Sequence, residues 1–158
     1  MSICLFTGHR DLPQDTGFLA QKLDRAIEKL WLQAGVDTWL CGGAVGFDLL
    51  AGERVLALKE RYPALRLHMV LPCRDQDKRY SPADKARYDA LLQRADKVEW
   101  LSPHYYRGCM LARDRVMVDR AEGCVCWLLR SEGGTAYTVR LAVNKGLPLY
   151  NIAEDTAP

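Results

Sequence analysis

Three short apolar runs in the chain each end at a turn that carries glycine, and a helical pattern of apolar residues follows each turn. Runs of this length suit the buried strands of a parallel sheet, which read as nearly continuous apolar segments. The turns lie at residues 7–10, 42–48 and 132–135. If the strands are parallel, the three turns meet at the carboxyl edge of one sheet, where α/β proteins bind ligands. The pattern therefore predicts a ligand site at that edge.

Strand and helix patterns alternate along the chain. The predicted strands span residues 3–7, 38–41, 65–71, 97–101, 124–129 and 147–152. The predicted helices span residues 17–34, 48–61, 81–94, 109–121 and 135–145. Such alternation is typical of a largely parallel sheet with helices on both faces, here an α/β fold with about six strands. A length of 158 residues suits one domain.

Charge and cysteine content argue against several classes of protein. The formal net charge is only +2, whereas non-specific DNA-binding domains usually carry a strongly basic face. The six cysteines form no Cys-x-x-Cys pair, and no histidine cluster has zinc spacing, so we expect neither a disulfide framework nor a metal site. No apolar run reaches the roughly 20 residues that span a bilayer, and no secretory signal pattern opens the chain. We expect a cytoplasmic protein with no membrane partner.

The turn at residues 42–48 has the composition of an anion site. Gly42, Gly43 and Gly46 allow the backbone to turn tightly and to approach a ligand. The helix that follows presents unpaired N–H groups and a partial positive charge. The spacing matches neither G-x-G-x-x-G nor a P-loop, so a tight turn without a ligand is the alternative. Asp48 either caps that helix or accepts a hydrogen bond from a sugar hydroxyl.

The other two turns repeat this logic at their own strand ends. At Gly133-Gly134-Thr135, the hydroxyl of Thr135 and the neighbouring N–H groups either bind a phosphate oxygen or cap the helix. After Gly8 in the first turn, Arg10 is suited to pairing with phosphate, and His9 to acid–base work near neutral pH. The alternative for this pair is a surface turn in which the histidine packs and the arginine is solvated.

Three further features have competing interpretations. On spacing alone, Arg113 belongs to a solvated face of its helix. The polar segment at residues 73–79 reads as a loop that is either a lid or simply solvated. The aromatic rings of Trp100, Tyr105 and Tyr106 are able to stack on a base, but burial in the protein is the commoner use of such rings, and we expect it here.

Taken together, the three turns resemble the YpsA-like branch of the SLOG superfamily, named after the DNA-processing protein Smf/DprA and the plant enzyme Lonely Guy. The matching segments are Thr7-Gly8-His9-Arg10, Gly42-Gly43-Ala44-x-Gly46-x-Asp48 and Gly133-Gly134-Thr135. The resemblance implies a Rossmann-like three-layer sandwich in which residues 1–158 form a single nucleotide-binding domain. It also implies a nucleotide or nucleotide-derived ligand, and self-association into a homo-oligomer.

The Lonely Guy enzymes release a free base from nucleoside 5′-monophosphates. Their motifs are an Arg-Lys-x-x-Met helix and a Pro-Gly-Gly-x-Gly-Thr-x-Glu-Glu turn. Arg113 matches the arginine of the first motif, which makes it a candidate phosphate ligand, while Asp114 stands where the lysine would be. In the second motif the two glutamates are replaced by Tyr137 and Thr138.

The missing glutamates bear directly on catalysis. Cleavage of an N-glycosidic bond builds positive charge on the ribose, which a nearby carboxylate stabilises. Asp48 or Glu132 would have to supply that carboxylate here. Whether this chain is an enzyme is therefore open at this point.

The function expected first is binding or sensing of a nucleotide or nucleotide-derived ligand, ADP-ribose-like or NAD-derived. The alternative is an N-glycosidase of the phosphoribohydrolase type, with His9 and Asp48 as candidate catalytic residues. The second alternative is a DNA-binding accessory protein, which the small net charge disfavours. Apart from that ligand, no cofactor is expected. The candidate ligand-binding residues are Gly8, Arg10, Gly42, Gly43, Gly46, Arg113, Gly133, Gly134 and Thr135.

Overall fold

A computed structural model describes residues 1–154 of the chain. The strands are β1 (Ile3–Gly8), β2 (Thr38–Cys41), β3 (Arg66–Leu71), β4 (Lys97–Trp100), β5 (Gly123–Trp127) and β6 (Leu149–Asn151). The α-helices are α1 (Gly17–Ala34), α2 (Phe47–Lys59), α3 (Pro82–Arg94), α4 (Cys109–Arg120) and α5 (Gly134–Lys145). A short 3₁₀ helix spans Gln76–Arg79. Within this range, no helix combines the length and the apolar content needed to cross a bilayer.

The six strands form one parallel sheet in the order β4-β3-β2-β1-β5-β6. From the central β1 the chain builds outward through β2, β3 and β4, and then returns to the other side of β1 to add β5 and β6. The direction of building therefore reverses between β1 and β5. Open α/β sheets bind ligands at the carboxyl ends of the strands beside such a switch point. The predicted α/β sandwich with six parallel strands is confirmed.

Alternation of side chains along the strands divides the core into two layers. Phe6 and its same-face neighbours pack under α1, α2 and α3, where the ring of Phe6 stacks on Trp39 with the centroids 4.6 Å apart. Leu5 points the other way and packs under α4 and α5. Because both faces of the central strands are covered, their sequences are apolar throughout.

Two segments differ from the sequence predictions. The segment at residues 73–79, predicted as a loop, contains the 3₁₀ helix. Tyr105 and Tyr106, expected to be buried, are 63% and 50% exposed. They lie in the loop between β4, an edge strand of the sheet, and α4. Trp100 is half-buried, with the guanidinium of Arg74 4.2 Å from its ring centroid.

Candidate functional site

A cavity of about 540 Å³ lies at the carboxyl ends of β1 and β5. Its wall comes from the end of β1 and the residues that follow it, the first half of α4, the β5–α5 loop, and Ala44 and Asp48 from the β2–α2 region. Small-molecule sites usually enclose about 300–1,000 Å³, so the space suits a ligand of that class. We refer to it as the switch-point cavity.

The amino end of α5 faces this cavity. The first hydrogen bond of the helix runs from the N–H of Tyr137 to the carbonyl of Gly133 at 3.1 Å. The N–H groups of Gly134, Thr135 and Ala136 have no hydrogen-bond partner within residues 1–154. Gly133 and Gly134 line the cavity and have open space where a Cβ would stand, so the backbone of this turn is accessible from the cavity. Unpaired N–H groups and the positive end of the helix dipole together favour an anion.

Three of the charged side chains that line the cavity are buried. Arg113, Asp48 and Asp114 are only 4%, 6% and 9% exposed. The Nε of Arg113 donates to Asp114 Oδ1 at 2.7 Å, and its Nη1 donates to the carbonyl of Gly42 at 2.5 Å. Its Nη2 has no hydrogen-bond partner in the described part of the chain. The arginine therefore retains donors for a ligand while it neutralises two acids.

The expectation that Arg113 lies on a solvated face is wrong. The first half of α4 lines the switch-point cavity and packs against the β2–α2 turn, so its inward face carries the arginine into the protein. Burial lowers the pKa of Arg113, but the carboxylates of Asp114 and Asp48 outweigh this effect and leave the pKa raised. The guanidinium is thus charged wherever the protein is folded.

Asp48 is an unusual acid because of its position. Its Oδ2 accepts a hydrogen bond from the N–H of Ala44 at 3.3 Å. Burial raises the pKa of the carboxyl to about 6; the positive charge of Arg113 offsets part of this, and Asp114 adds to it. The group therefore changes its protonation state close to neutral pH. It is able to accept a hydrogen bond when ionised and to donate one when protonated.

The raised pKa of Asp48 predicts a pH-dependent stability. The pKa of the carboxyl is 3.8 in the unfolded chain and about 6 in the folded one. The protonated carboxyl stabilises the folded state. This contribution is complete below pH 3.8 and is lost as the pH rises through about 6. About two pKa units correspond to about 3 kcal/mol. Urea unfolding from pH 4 to pH 7 should therefore show Asp48→Asn gaining stability relative to wild type as the pH rises.

Asp96→Asn is the control for this experiment. Burial raises the pKa of Asp96, but Lys59 and the N–H of Leu67 outweigh burial and hold the pKa below its ordinary value. Its substitution should not become more favourable with rising pH. A difference between Asp48→Asn and wild type that stays constant across the range would contradict the buried state of this carboxyl.

His9 joins the two strands that flank the cavity. Its Nε2 accepts the N–H of Leu129 at 2.9 Å, and its carbonyl accepts the N–H of Phe47 at 3.1 Å. The ring lies edge-on to Trp127, with the centroids 5.7 Å apart. Burial lowers the pKa of His9, and Arg130 lowers it further, so the ring is neutral at pH 7. With Nε2 occupied in this way, the ring holds the β5–α5 loop beside β1.

The glycines of the β2–α2 turn lie behind the cavity rather than in its wall. Gly42, Gly43 and Gly46 are not among the residues that line it. A Cβ at Gly42 would stand 2.4 Å from Nη1 of Arg113, so only glycine leaves room for the guanidinium on its carbonyl. A Cβ at Gly46 would stand 2.3 Å from the carbonyl oxygen of Arg10. Gly42 and Gly46 therefore leave the space in which Arg113 and the backbone of Arg10 lie.

Several residues that build the site were not predicted as part of it. Asp114 was read only as a departure from the lysine of a motif, yet it is the acid that pairs directly with Arg113. Gln76 donates to the carbonyl of Gly42 at 3.0 Å, and the hydroxyl of Tyr80 donates to the carbonyl of Gly43 at 2.8 Å. The segment considered as a lid is thus bonded to the turn beneath it. No spacing in the sequence signals contacts between residues this far apart.

The structure brings most of the predicted site residues together. Of these, the residues that line the switch-point cavity are Gly8, His9, Arg10, Asp48, Arg113, Gly133, Gly134 and Thr135. Arg10 is exposed at the mouth and has no ion-pair partner within the described chain. Beside it, Arg130 donates to both carboxylate oxygens of Asp11 at 2.9 and 2.8 Å, which links the loops that follow β1 and β5.

Comparison with known proteins places the chain within one family. The family model YpsA, described as the YspA SLOG family, matches residues 4–150. The chain is similar to the UPF0398 protein YpsA of Bacillus subtilis, with 25% identity over 98% of this chain and 94% of that protein. The resemblance inferred from the three turns is thereby confirmed.

Two solved structures share the fold. DNA processing protein A (DprA) from Helicobacter pylori superimposes with a TM-score of 0.67 and 20% identity. The match covers 94% of this chain but only 63% of that one, so the chain spans less than two thirds of its length. The structural-genomics target TM1055 superimposes with a TM-score of 0.59 and 15% identity, covering 98% of this chain and 79% of that one.

Proposed function

The chain belongs to the YspA SLOG family, and we propose that it binds a nucleotide or nucleotide-derived ligand in the switch-point cavity. The ligand class includes ADP-ribose-like and NAD-derived compounds. A phosphate group lies at the amino end of α5, and the sugar lies toward Asp48. Arg10 at the mouth supplies further positive charge.

One observation carries this proposal: unpaired donors face the same cavity from two sides. The N–H groups of Gly134 and Thr135 stand on one wall, and the buried guanidinium of Arg113 stands on another. A buried charge is costly unless it is paired. Arg113 already balances Asp114 in part, and Asp48 faces the same space. Asp48 and Asp114 repel a phosphate placed beside them, whereas Glu132 at the α5 end is exposed to solvent, so the anion belongs at the amino end of α5.

The hydroxyl of Thr135 offers a direct test of this placement. Thr135 is buried at the cavity and has no hydrogen-bond partner for its hydroxyl within the described residues. Thr135→Val keeps the shape of the side chain and removes the donor. We expect it to weaken the binding of AMP about tenfold in calorimetry, since a hydrogen bond to a charged group contributes about 1.5–3 kcal/mol.

Thr16→Val is the matched control, because it is the same chemical change at a residue that does not line the cavity. It should leave the affinity unchanged. The proposal fails if AMP, ADP-ribose and NAD all leave the melting temperature of the wild-type protein unchanged at millimolar concentration. The placement fails if the two valine variants bind AMP equally well.

Catalysis is the second candidate function, and the acids of the cavity favour it. Asp48 and Glu132 both line the space, so carboxyl groups are present although the two glutamates of the Lonely Guy turn are absent. In an N-glycosidase, water adds to C1′ of the ribose while the base leaves with a proton. A carboxyl with a pKa of about 6 is suited to giving that proton. Release of free base from nucleoside monophosphates, lost in Asp48→Asn, would establish this activity.

Binding of single-stranded nucleic acid is the third candidate function. The Helicobacter pylori structure was described for its single-stranded DNA binding mode. The net charge of +2 gives this chain little general attraction for a polyanion. Salt-sensitive binding of a single-stranded oligonucleotide, stronger than that of any mononucleotide, would favour this function over the one proposed.

A further inference from the structure

A second cavity of about 720 Å³ adjoins the switch-point cavity. It lies between the 3₁₀ helix Gln76–Arg79, the start of α3 and the region before α4, and we call it the outer cavity. The two cavities share Arg10 and Met110 in their walls. The two cavities therefore meet at these two side chains.

Three of the side chains that line the outer cavity are cations with no ion-pair partner in the described chain. Arg10, Lys78 and Arg79 line it, and all three are exposed. Within residues 1–154, none of the three side chains has an ion-pair or hydrogen-bond partner. Three free cations around one cavity favour an anionic occupant.

Two acids, Asp75 and Asp84, also line the outer cavity. Asp75 accepts the N–H of Tyr105 at 2.8 Å, and a hydrogen bond from the thiol of Cys73 lowers its pKa. Asp84 lies at the start of α3, 3.7 Å from Arg87. Three cations against two acids leave the lining with a formal net charge of +1.

The floor and one side of the outer cavity are firmly held. Gln76 and Tyr80 bond to the carbonyls of Gly42 and Gly43 behind the switch-point cavity. Tyr105 is largely exposed at the edge, and the bond from its N–H to Asp75 fixes its backbone. A phenol ring in that position offers a flat face on which a base or sugar packs. The geometry thus provides cations and an aromatic surface beside an established cavity.

We propose that the outer cavity is the second half of the same ligand site. The ligand is then a two-part nucleotide, a nucleoside diphosphate joined to a second sugar or nucleoside, rather than a mononucleotide. Its linking phosphate passes Arg10, and its second half lies against Lys78, Arg79 and Tyr105. This inference rests on the proposed function and specifies the class of ligand that the site takes.

Calorimetry with AMP and with ADP-ribose tests the inference on the full chain. Wild-type protein should bind ADP-ribose at least about tenfold more tightly than AMP, which is about 1.4 kcal/mol. The double variant Lys78→Ala/Arg79→Ala should bind the two compounds with equal affinity, because it loses contacts that only the longer ligand makes. Its affinity for AMP should equal that of wild type. These side chains are exposed, so the variant is expected to fold.

Lys29→Ala/Arg94→Ala is the matched control: it removes the same charge from exposed cations that line neither cavity. It should keep the tenfold preference for ADP-ribose. Equal binding of AMP and ADP-ribose by wild type, or equal weakening of both in Lys78→Ala/Arg79→Ala, overturns this inference and leaves the proposed function standing. Failure of both compounds to bind overturns the proposed function as well.

A single-stranded oligothymidylate completes the set, because a nucleic-acid strand also presents successive phosphates. It should bind more weakly than ADP-ribose. Tighter binding of the oligonucleotide, weakened by Lys78→Ala/Arg79→Ala, overturns the two-part nucleotide in favour of a strand that runs through both cavities.

Discussion

Replacement of Arg113 by alanine is expected to lower the free energy of unfolding by about 3–5 kcal/mol at pH 7 and to abolish nucleotide binding. The substitution leaves Asp114 and Asp48 buried without their shared cation, and removes the donor to the carbonyl of Gly42. Removal of one partner from a buried ion pair usually costs this much, because the other charge stays in the interior. Urea unfolding followed by circular dichroism measures the loss.

Arg115→Ala is the control for this substitution, since Arg115 lies two residues further along α4 and is exposed. Its Nε donates to the hydroxyl of Tyr137 at 2.8 Å at the surface, and we expect its loss to cost less than about 1 kcal/mol. The penalty of Arg113→Ala should also shrink as the pH falls through about 6, where Asp48 takes up a proton. Equal losses in the two variants would show that Arg113 does not balance a buried charge.

Gly46→Ala is expected to be more damaging than any other single methyl addition in the β2–α2 turn. Gly46 has φ of 81° and ψ of −122°, a region that is essentially restricted to glycine. Its Cβ would also stand 2.3 Å from the carbonyl oxygen of Arg10, a backbone atom that moves only if the end of β1 moves. We expect the free energy of unfolding to fall by more than about 4 kcal/mol, a loss that single substitutions reach only through effects such as overpacking or backbone strain.

Gly133→Ala is the comparison that separates the cost of backbone strain from the cost of a steric clash. Gly133 has φ of 97° and ψ of −175°, equally unfavourable for alanine, but nothing lies within 4 Å of the added methyl group. The strain alone should cost about 1–3 kcal/mol. Stability measurements that gave the two variants equal losses would mean that the close approach of Gly46 to Arg10 does not constrain the fold.

Much of the fold was predictable from the sequence for a simple reason. Central strands covered on both faces are apolar throughout, and the chain alternates them with helices, so element type and parallel pairing followed from the pattern. The ends of strands were less predictable. β5 was expected to reach residue 129 but ends at Trp127, because the next two N–H groups bond to side chains, Asn151 and His9, instead of to a strand.

The convergence of the three turns was also predictable, because parallel strands bring their carboxyl ends to one edge. The contacts that the glycines make inside the protein were not predictable. Gly42 faces Arg113, which lies 71 residues further along the chain, and no local spacing records that contact. For the same reason the helical spacing of Arg113 was read as a solvated face: positions three and four apart share a face whether it is buried or exposed.

The central claim is that an anionic group of a nucleotide sits at the amino end of α5. An amide-resolved NMR titration of the wild-type protein with AMP tests it most directly, because the unpaired N–H groups are themselves the proposed contacts. We predict that the amide signals of Gly134, Thr135 and Ala136 shift more than any others and saturate together. Saturating AMP that moves other amides and leaves these three in place would contradict the account.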